Sequence, residues 1–206
     1  QVQVNTKIDL SFARVLRAVL RQDPDIILVG EVRDTETMEI ALRAAMTGHL
    51  VLSTLHTNDA ISTVARLMDM GAEPFLMAAA LRAIVAQRLV RRICESCAEP
   101  FQPDVTSRSL LNHELGAQAD DLEFQRGRGC TYCNSTGYQG RIGIYELIAM
   151  DDTLVAALHS GDAARFAQVA RQQAGYQSLR HSAIALAARG LTTLDQVMRV
   201  TFGMDG

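Results

Sequence analysis

Two short, continuous apolar runs stand out in the first half of the chain, at residues 25–30 (DIILVG) and 49–55 (HLVLSTL). Runs of aliphatic and β-branched residues of this length are typical of strands that are buried on both faces of a parallel sheet. Helical spacing of apolar residues predicts amphipathic helices around these runs, at residues 11–22, 35–46 and 60–70. Strands that alternate with helices are typical of βαβ units, so the pattern predicts an α/β fold with a parallel sheet.

The second half of the chain has a different pattern. After Pro74, apolar spacing predicts a long helix to about Ile93, followed by a segment of mixed polarity that holds all four cysteines. Residues 139–148 (QGRIGIYELI) alternate like a strand, and helical spacing resumes at Asp151 and continues, with breaks at glycines, to residue 203. The predicted domains are a sheet-containing domain, a cysteine-rich segment, and a strand with a helical domain, at residues 1–93, 94–138 and 139–206.

Composition narrows the class of protein. Of the 206 residues, 48% are hydrophobic, which is typical of folded domains and not of a disordered chain. The formal net charge of −3 gives no excess of positive charge for binding nucleic acid or an anionic membrane surface. No apolar run reaches the roughly 18 to 20 residues that cross a bilayer. Residues 1–4 alternate like a strand, so we expect the sequence to begin inside a domain.

Polar residues follow each apolar run at the point where the strand should end. Glu31 and Arg33 come after the first run, beyond Gly30, and His56 comes after the second. Ligands of open α/β sheets bind beyond the carboxyl ends of the strands, and phosphoryl transfer needs a carboxylate to orient water beside cationic groups. These residue types therefore fit a nucleotide-hydrolysing site. Any buried strand also has to emerge into polar residues, so position alone leaves a purely structural interpretation open.

The two runs and their flanks resemble known motifs. The segments DPDIILVGEVRDTET and TGHLVLSTLHTNDA resemble the Walker B and histidine-box motifs of the type II secretion and type IV pilus assembly ATPases. The resemblance continues through ALRAIVAQRLVRRIC, both CxxC pairs, GRIGIYELI and GLTTLDQVMRVT, and so covers essentially the whole chain. In detail the sequence is most similar to the mannose-sensitive-pilus type of extension ATPase. The resemblance implies the C-terminal part of a RecA-like parallel-sheet domain, followed by a tetracysteine zinc subdomain and a small helical domain.

The resemblance also implies roles for individual residues. It identifies Glu31 as the catalytic carboxylate and His49 and His56 as histidine-box residues, with His56 near the γ-phosphate. We predict that Glu31 and His56 are catalytic and that Arg33 and His49 contact the nucleotide. Arg33 could instead be a solvated loop charge or a subunit contact, and a histidine at a strand end is commonly a hydrogen-bonded structural residue.

For the whole protein, the resemblance implies a homo-hexameric motor that uses ATP and magnesium to drive pilus assembly or type II protein secretion. Its implied partner is an inner-membrane platform protein, reached from the cytoplasmic face of the bacterial inner membrane, so membrane contact is peripheral. The lack of excess positive charge predicts that nucleic acid is not a partner. The sequence has no GxxxxGK[ST] phosphate-binding loop. Because that loop supplies most of the grip on phosphates, we expect this chain alone to bind ATP weakly and to lack turnover.

All four cysteines fall into two CxxC pairs, Cys94 with Cys97 and Cys130 with Cys133. Two intervening residues let both thiolates of a pair bind one tetrahedral ion, and two pairs complete the four-thiolate shell of a zinc site. Such a shell leaves no open position, so we predict that the zinc is structural and not catalytic. Two disulfides are the alternative, but disulfides belong to oxidising compartments, which nothing in the sequence indicates.

Two other functions fit parts of the sequence. A zinc-ribbon module that binds nucleic acid would need a basic surface, and the pI near 6.0 and the absence of Trp count against it. A catalytically silent coupling module would fit the chain by itself, with Glu31 incidental. The apolar residues of the helical tail predict core packing, and its scattered arginines, Arg180 among them, are expected to face solvent.

Overall fold

The structure, a computed structural model, describes residues 1–202 and contains two compact units. The first unit comprises Gln1–Ile84 and Ile148–Tyr176, and the second comprises Val85–Leu147 and the residues from Gln177 onward. The predicted division into three domains stays a prediction, and the last four residues of its third domain, 203–206, lie outside the described residues.

The described chain contains nine α-helices and six strands, besides four short 3-10 turns. In chain order they are α1 (Phe12–Val19), β1 (Ile26–Val29), α2 (Thr35–Met46), β2 (Leu50–Ser53), α3 (Ala60–Asp69), α4 (Pro74–Ala80), β3 (Ala83–Ile93), β4 (Ala98–Phe101), α5 (Val105–Leu115), β5 (Phe124–Gly127), β6 (Tyr138–Ala149), α6 (Asp152–His159), α7 (Ala163–Gln172), α8 (Leu179–Ala188) and α9 (Leu194–Phe202). Serine or aspartate side chains cap most of the helices and satisfy backbone N–H groups at their amino ends. Within the described residues, none of the helices is long and apolar enough to span a membrane.

In the first unit, β1 and β2 pair in parallel, with Ile26 opposite Leu50 at one end of the ladder. Ile27 and Val29 point into the unit and are buried, whereas Ile26 and Leu28 are 63% and 74% exposed. The expectation that this strand is buried on both faces is therefore wrong for the described chain. The reason is that the residues described here cover only one face of the two-stranded sheet.

The predicted long helix after Pro74 is also wrong. It ends as α4 at Ala80, and the chain continues as strand β3, in which alternate residues such as Ile84 and Ala86 are buried. The aliphatic segment satisfies both a helical and an alternating period, and pairing of β3 with β6 decides between them. The alternation at residues 1–4 likewise predicted a strand, but no strand forms there.

The second unit is built on two strand pairs. β4 and β5 run antiparallel, with Ala98 opposite Gly127, and β3 pairs with β6. Helices α8 and α9 pack against each other, and α8 also contacts β5. The Glu146 side chain of β6 is buried, and its Oε2 accepts a hydrogen bond of 3.3 Å from the Leu179 N–H at the start of α8. This contact ties the strand to the helix.

The helical spacing after Asp151 corresponds to four helices, α6 to α9, and the predicted breaks at Gly161, Gly175 and Gly190 all have positive φ. Helices α6 and α7 belong to the first unit, where they pack against α4 and α3 respectively. Helices α8 and α9 belong to the second unit. The helical tail is thus divided between the two units, and its predicted end at residue 203 lies outside the described part of the chain.

Candidate active site and metal centre

Glu31 and His56 lie just beyond the carboxyl ends of β1 and β2, because parallel pairing brings the loops after these strands together. Two hydrogen bonds join the loops. The Val32 N–H donates to the carbonyl oxygen of Thr54 at 3.0 Å, and the Thr54 hydroxyl donates to the carbonyl oxygen of Gly30 at 2.7 Å. Thr54 therefore holds the backbone on both sides of Glu31, at Gly30 and Val32. Thr54 was not among the predicted site residues, although its place at the end of the second apolar run was a signal.

The Glu31 carboxylate contacts two basic side chains. Its Oε1 lies 2.5 Å from Nη2 of Arg33, and its Oε2 lies 3.3 Å from Nε2 of His56. The Glu31 side chain is only 21% exposed, whereas the side chains of Arg33 and His56 are 70% and 92% exposed. Three of the four residues predicted for the nucleotide site are therefore in contact. The Glu31 carboxylate is mostly buried, and the side chains of Arg33 and His56 face solvent.

This arrangement favours the ionised form of the carboxyl group. The hydrogen bond from Arg33 lowers the pKa of Glu31; partial burial opposes the effect, and the charge of Arg33 and the hydrogen bond of His56 add to it. The same hydrogen bond raises the pKa of Arg33. Glu31 is therefore a carboxylate at neutral pH and can accept a hydrogen bond from a water molecule.

The structure does not bring His49 to this cluster. His49 precedes β2 at its amino end, and the four residues of β2, at about 3.3 Å each, separate the two ends of the strand by about 13 Å. The Nδ1 atom of His49 lies 3.0 Å from the carbonyl oxygen of Ala44 and 3.2 Å from the Thr47 hydroxyl. In the described chain, His49 therefore contacts the carboxyl end of α2 and not the Glu31 carboxylate.

The four cysteine thiols meet at one point in the second unit, each CxxC pair being held by a single helical turn. All four Sγ atoms lie within 4.8 Å of one another. Three of their separations are 3.8 Å (Cys94 to Cys130), 3.9 Å (Cys97 to Cys133) and 3.7 Å (Cys130 to Cys133). Four sulfurs at about 2.3 Å from a tetrahedral ion are about 3.8 Å apart, so the thiols fit zinc. All four cysteines are free, and neither disulfide of the alternative interpretation is formed.

Backbone N–H groups point at the sulfur atoms. Gly129 donates to Sγ of Cys97 at 3.3 Å, and Cys130 and Gly137 each donate to Sγ of Cys133 at 3.2 Å. Burial raises the pKa of Cys97 to about 11. Burial also acts to raise the pKa of Cys133, but the two N–H donors, together with the contacts to the Cys130 and Cys97 side chains, lower this pKa to about 6. Metal binding requires thiolates, and the lowered pKa of Cys133 favours the thiolate form of that ligand.

A close contact between two glycines holds the cysteine turns together. A Cβ atom at Gly127 would lie 1.9 Å from the carbonyl oxygen of Gly137, so only glycine fits at that point. The same carbonyl accepts a hydrogen bond of 3.0 Å from the Cys94 N–H, which links the two CxxC pairs through the backbone. Neither glycine was among the predicted site residues. Their signal was the density of glycine around the second CxxC pair.

Comparison with known proteins gives consistent matches over nearly the whole chain. The family model described as type II/IV secretion system protein matches residues 1–199. The type II secretion system ATPase E of Vibrio cholerae is 47% identical over 201 residues, covering 98% of this chain and 39% of that protein. The type IV pilus assembly ATPase PilB of Thermus thermophilus is 47% identical over 202 residues, covering 98% of this chain and 22% of that protein.

Solved structures agree with these matches. The crystal structure of the pilus retraction motor PilT with bound ADP is 30% identical, has a TM-score of 0.62, and is matched over 92% of this chain and 43% of PilT. The Legionella pneumophila ATPase DotB, at 22% identity, has a TM-score of 0.66 over 98% of this chain, which is a likeness of fold. The chain spans about two fifths or less of the length of the curated relatives described here.

Proposed function

The chain belongs to the type II/IV secretion system protein family, and we propose that it is the C-terminal part of an ATPase that powers protein secretion or pilus assembly. The similar proteins in Vibrio cholerae and Thermus thermophilus are named as ATPases of these two systems. The observation that carries the proposal is the ionised Glu31 carboxylate, which contacts Arg33 and His56 beyond two parallel strands.

In the proposed reaction, Glu31 orients the water that attacks the γ-phosphate. The transition state of phosphoryl transfer is loose, so positioning of the water matters more than strong basicity, and a carboxylate of lowered pKa is suited to the task. Magnesium and the groups that grip the phosphates belong to the whole protein, because this sequence has no phosphate-binding loop. For the same reason, the chain alone has little or no turnover.

Arg33 and His56 act on the phosphate side of the carboxylate. Both are largely exposed and both contact Glu31, so a γ-phosphate arriving in front of Glu31 competes for their N–H groups. Transfer of these contacts to the phosphate would free the carboxylate for water when nucleotide is bound. His49 also belongs to the nucleotide site in this proposal. Its contact with the nucleotide requires parts of the whole protein that this chain does not contain.

The tetracysteine centre holds a structural zinc ion. Cys94, Cys97, Cys130 and Cys133 supply its four ligands, and zinc would cross-link the turns before β4 and β6. A site of four thiolates is closed, so the metal takes no part in the reaction at Glu31.

The whole protein works as a homo-hexamer on an inner-membrane platform protein, from the cytoplasmic face of the membrane. Relatives named for protein secretion, pilus assembly and pilus retraction support such a partner at the membrane. The two-stranded sheet of the first unit is the part of a RecA-like parallel sheet that this chain supplies. Nucleic acid is not a partner, in keeping with the net charge of −3.

The experiment compares ATP turnover by this chain, by the whole protein, and by the whole protein with Glu31→Gln. We expect turnover only in the whole protein, and we expect Glu31→Gln to lower kcat at least about a hundredfold while leaving ATP binding intact. Glu36→Gln is the matched control, because Glu36 is an exposed carboxylate on α2 that pairs with Arg17 and should leave turnover unchanged. Full activity of Glu31→Gln, measured beside an active control, would exclude the role proposed for Glu31.

A further inference from the structure

The second unit contains a surface pocket that the proposed function does not use. Its volume is about 530 Å³, and it is lined by Arg91, Thr136, Tyr138, Gly140 and Arg141. All five residues belong to the second unit. Two of the lining side chains are guanidinium groups and none is a carboxylate, so the pocket carries positive charge.

The two arginines lie on paired strands, Arg91 on β3 and Arg141 on β6. One backbone hydrogen bond joins the two segments at each end of this strand pair. The Cys94 N–H donates to the carbonyl oxygen of Gly137 at 3.0 Å, and the Met150 N–H donates to the carbonyl oxygen of Arg82 at 2.9 Å. The strands therefore run antiparallel, and Arg91 and Arg141 line the same pocket from neighbouring strands. Like charges that line one pocket on neighbouring strands repel each other, which costs stability. An anion bound between them would remove that cost.

No carboxylate of the described chain neutralises this pair. Neither Arg91 nor Arg141 has an acidic side chain within ion-pair distance among residues 1–202, whereas other arginines of the second unit do, namely Arg92, Arg126 and Arg180. The charge of the pocket is thus available to a ligand.

Arg91 is held in place before any ligand arrives. Its guanidinium carbon lies 3.7 Å from the centre of the Tyr138 ring, and the Tyr138 hydroxyl lies 2.8 Å from the Thr193 hydroxyl. Stacking on an aromatic ring occupies the face of a guanidinium group and leaves its N–H edges free for an anion. A group that is already fixed loses little conformational entropy on binding.

We propose that this pocket binds a phosphate group. A carboxylate has two oxygens and is satisfied by one guanidinium fork, whereas the tetrahedral oxygens of a phosphate can accept from both forks at once. The phosphate belongs either to a soluble phosphate ester or to the headgroup of an acidic lipid.

The test is titration of the zinc-loaded chain with inorganic phosphate, followed by the amide NMR signals of Thr136 and Gly140. We expect saturable shifts of both signals. Arg141→Gln and Arg91→Gln should each weaken phosphate binding about tenfold or more, because each removes a charged donor. Arg165→Gln is the matched control, since Arg165 is an exposed arginine of the first unit and its loss should leave phosphate affinity unchanged.

Three results would overturn the proposal: no binding of phosphate to the unaltered chain, equal affinity in Arg141→Gln, or acetate binding as tightly as phosphate at matched ionic strength. Arg141 is exposed on β6, so we expect Arg141→Gln to fold. That variant therefore keeps the test valid even if Arg91→Gln fails to fold.

The source of the phosphate is then assigned with ADP and with vesicles of phosphatidylcholine containing phosphatidylglycerol. A lipid source requires vesicle binding that phosphate displaces and Arg141→Gln loses, and a soluble source requires ADP to shift the same amides without vesicle binding. The titrations involve no ATP turnover, so their outcome is independent of the role proposed for Glu31.

Discussion

A single methyl group at Gly137 should disturb the cysteine centre without touching any of its thiols. A Cβ atom there would lie 2.3 Å from the carbonyl oxygen of Gly127, and this neighbour is backbone that cannot rotate away. Gly137 also has a φ of +77°, a left-handed conformation that other residues adopt only with strain. Gly137→Ala therefore combines a steric clash with backbone strain.

The size of the effect follows from these two terms. Left-handed backbone costs an alanine about 1–2 kcal/mol, and overpacking costs about 1–3 kcal/mol, so we expect the second unit to lose at least about 2 kcal/mol. For a domain of about 100 residues, this loss lowers Tm by about 8 °C or more. The Gly137 N–H also donates to Sγ of Cys133 at 3.2 Å. Alanine keeps this N–H, but relief of the clash moves it away from the sulfur, and losing such a contact to a metal ligand weakens metal affinity about tenfold to a hundredfold.

Two measurements check this prediction: thermal unfolding of the zinc-loaded chain by circular dichroism, and competition for its zinc with a chromophoric chelator. Gly140→Ala is the matched control, because Gly140 has a φ of +75° but a Cβ atom there would meet nothing within 4 Å. The control should show the strain alone, with zinc affinity unchanged. A Gly137→Ala variant that unfolds at the same temperature as Gly140→Ala and holds zinc as tightly as the unaltered chain would refute the proposed clash.

Two further predictions concern ion pairs. The pKa of Glu31 is lowered in the folded protein, so the stabilisation from its contacts is present at neutral pH and is lost as the pH falls through the folded-state pKa. Arg33→Gln should raise that pKa and move the acid limb of the pH profile of kcat/KM of the whole protein to higher pH; an unmoved limb would show that Arg33 does not set the ionisation. Arg180 and Glu114 pair with 34% and 13% of their side chains exposed, so Arg180→Met should cost about 1–2 kcal/mol in urea unfolding. Arg92→Met breaks the exposed pair with Glu95 and should lower the free energy of unfolding by about 0.5 kcal/mol or less. Equal losses in Arg180→Met and Arg92→Met would contradict a stronger effect of the partly buried pair.

The sequence alone was enough for features whose signals are local. The bounds of α2 are the predicted ones, residues 35–46, and Ser11, the first residue of the helix predicted at 11–22, is the amino-terminal cap of α1. Helix caps and apolar spacing act within a few residues, so they need no knowledge of the rest of the fold. The CxxC spacing likewise predicted one cluster of four thiols, and the structure brings all four together.

The nucleotide-site candidates were partly predictable. The rule that ligands bind beyond the carboxyl ends of parallel strands predicted that Glu31 and His56 lie close together, and their contact follows from the pairing of β1 with β2. The pairing of Arg33 with Glu31 depends on side-chain rotamers, which the sequence does not reveal. His49 belongs to the same apolar run as His56, yet it lies at the other end of the strand, where α2 provides its contacts.

Tertiary structure alone decided features that depend on residues far apart in the chain. Segment 83–93 becomes a strand and not a helix because β6, about fifty residues later, pairs with it. Arg180 was expected to face solvent, but Glu114, 66 positions earlier, forms a partly buried ion pair with it. Gly127 and Gly137 matter because their backbones touch. Local propensity and capping act over a few residues, whereas burial, strand pairing and steric fit depend on which distant segment the fold places alongside.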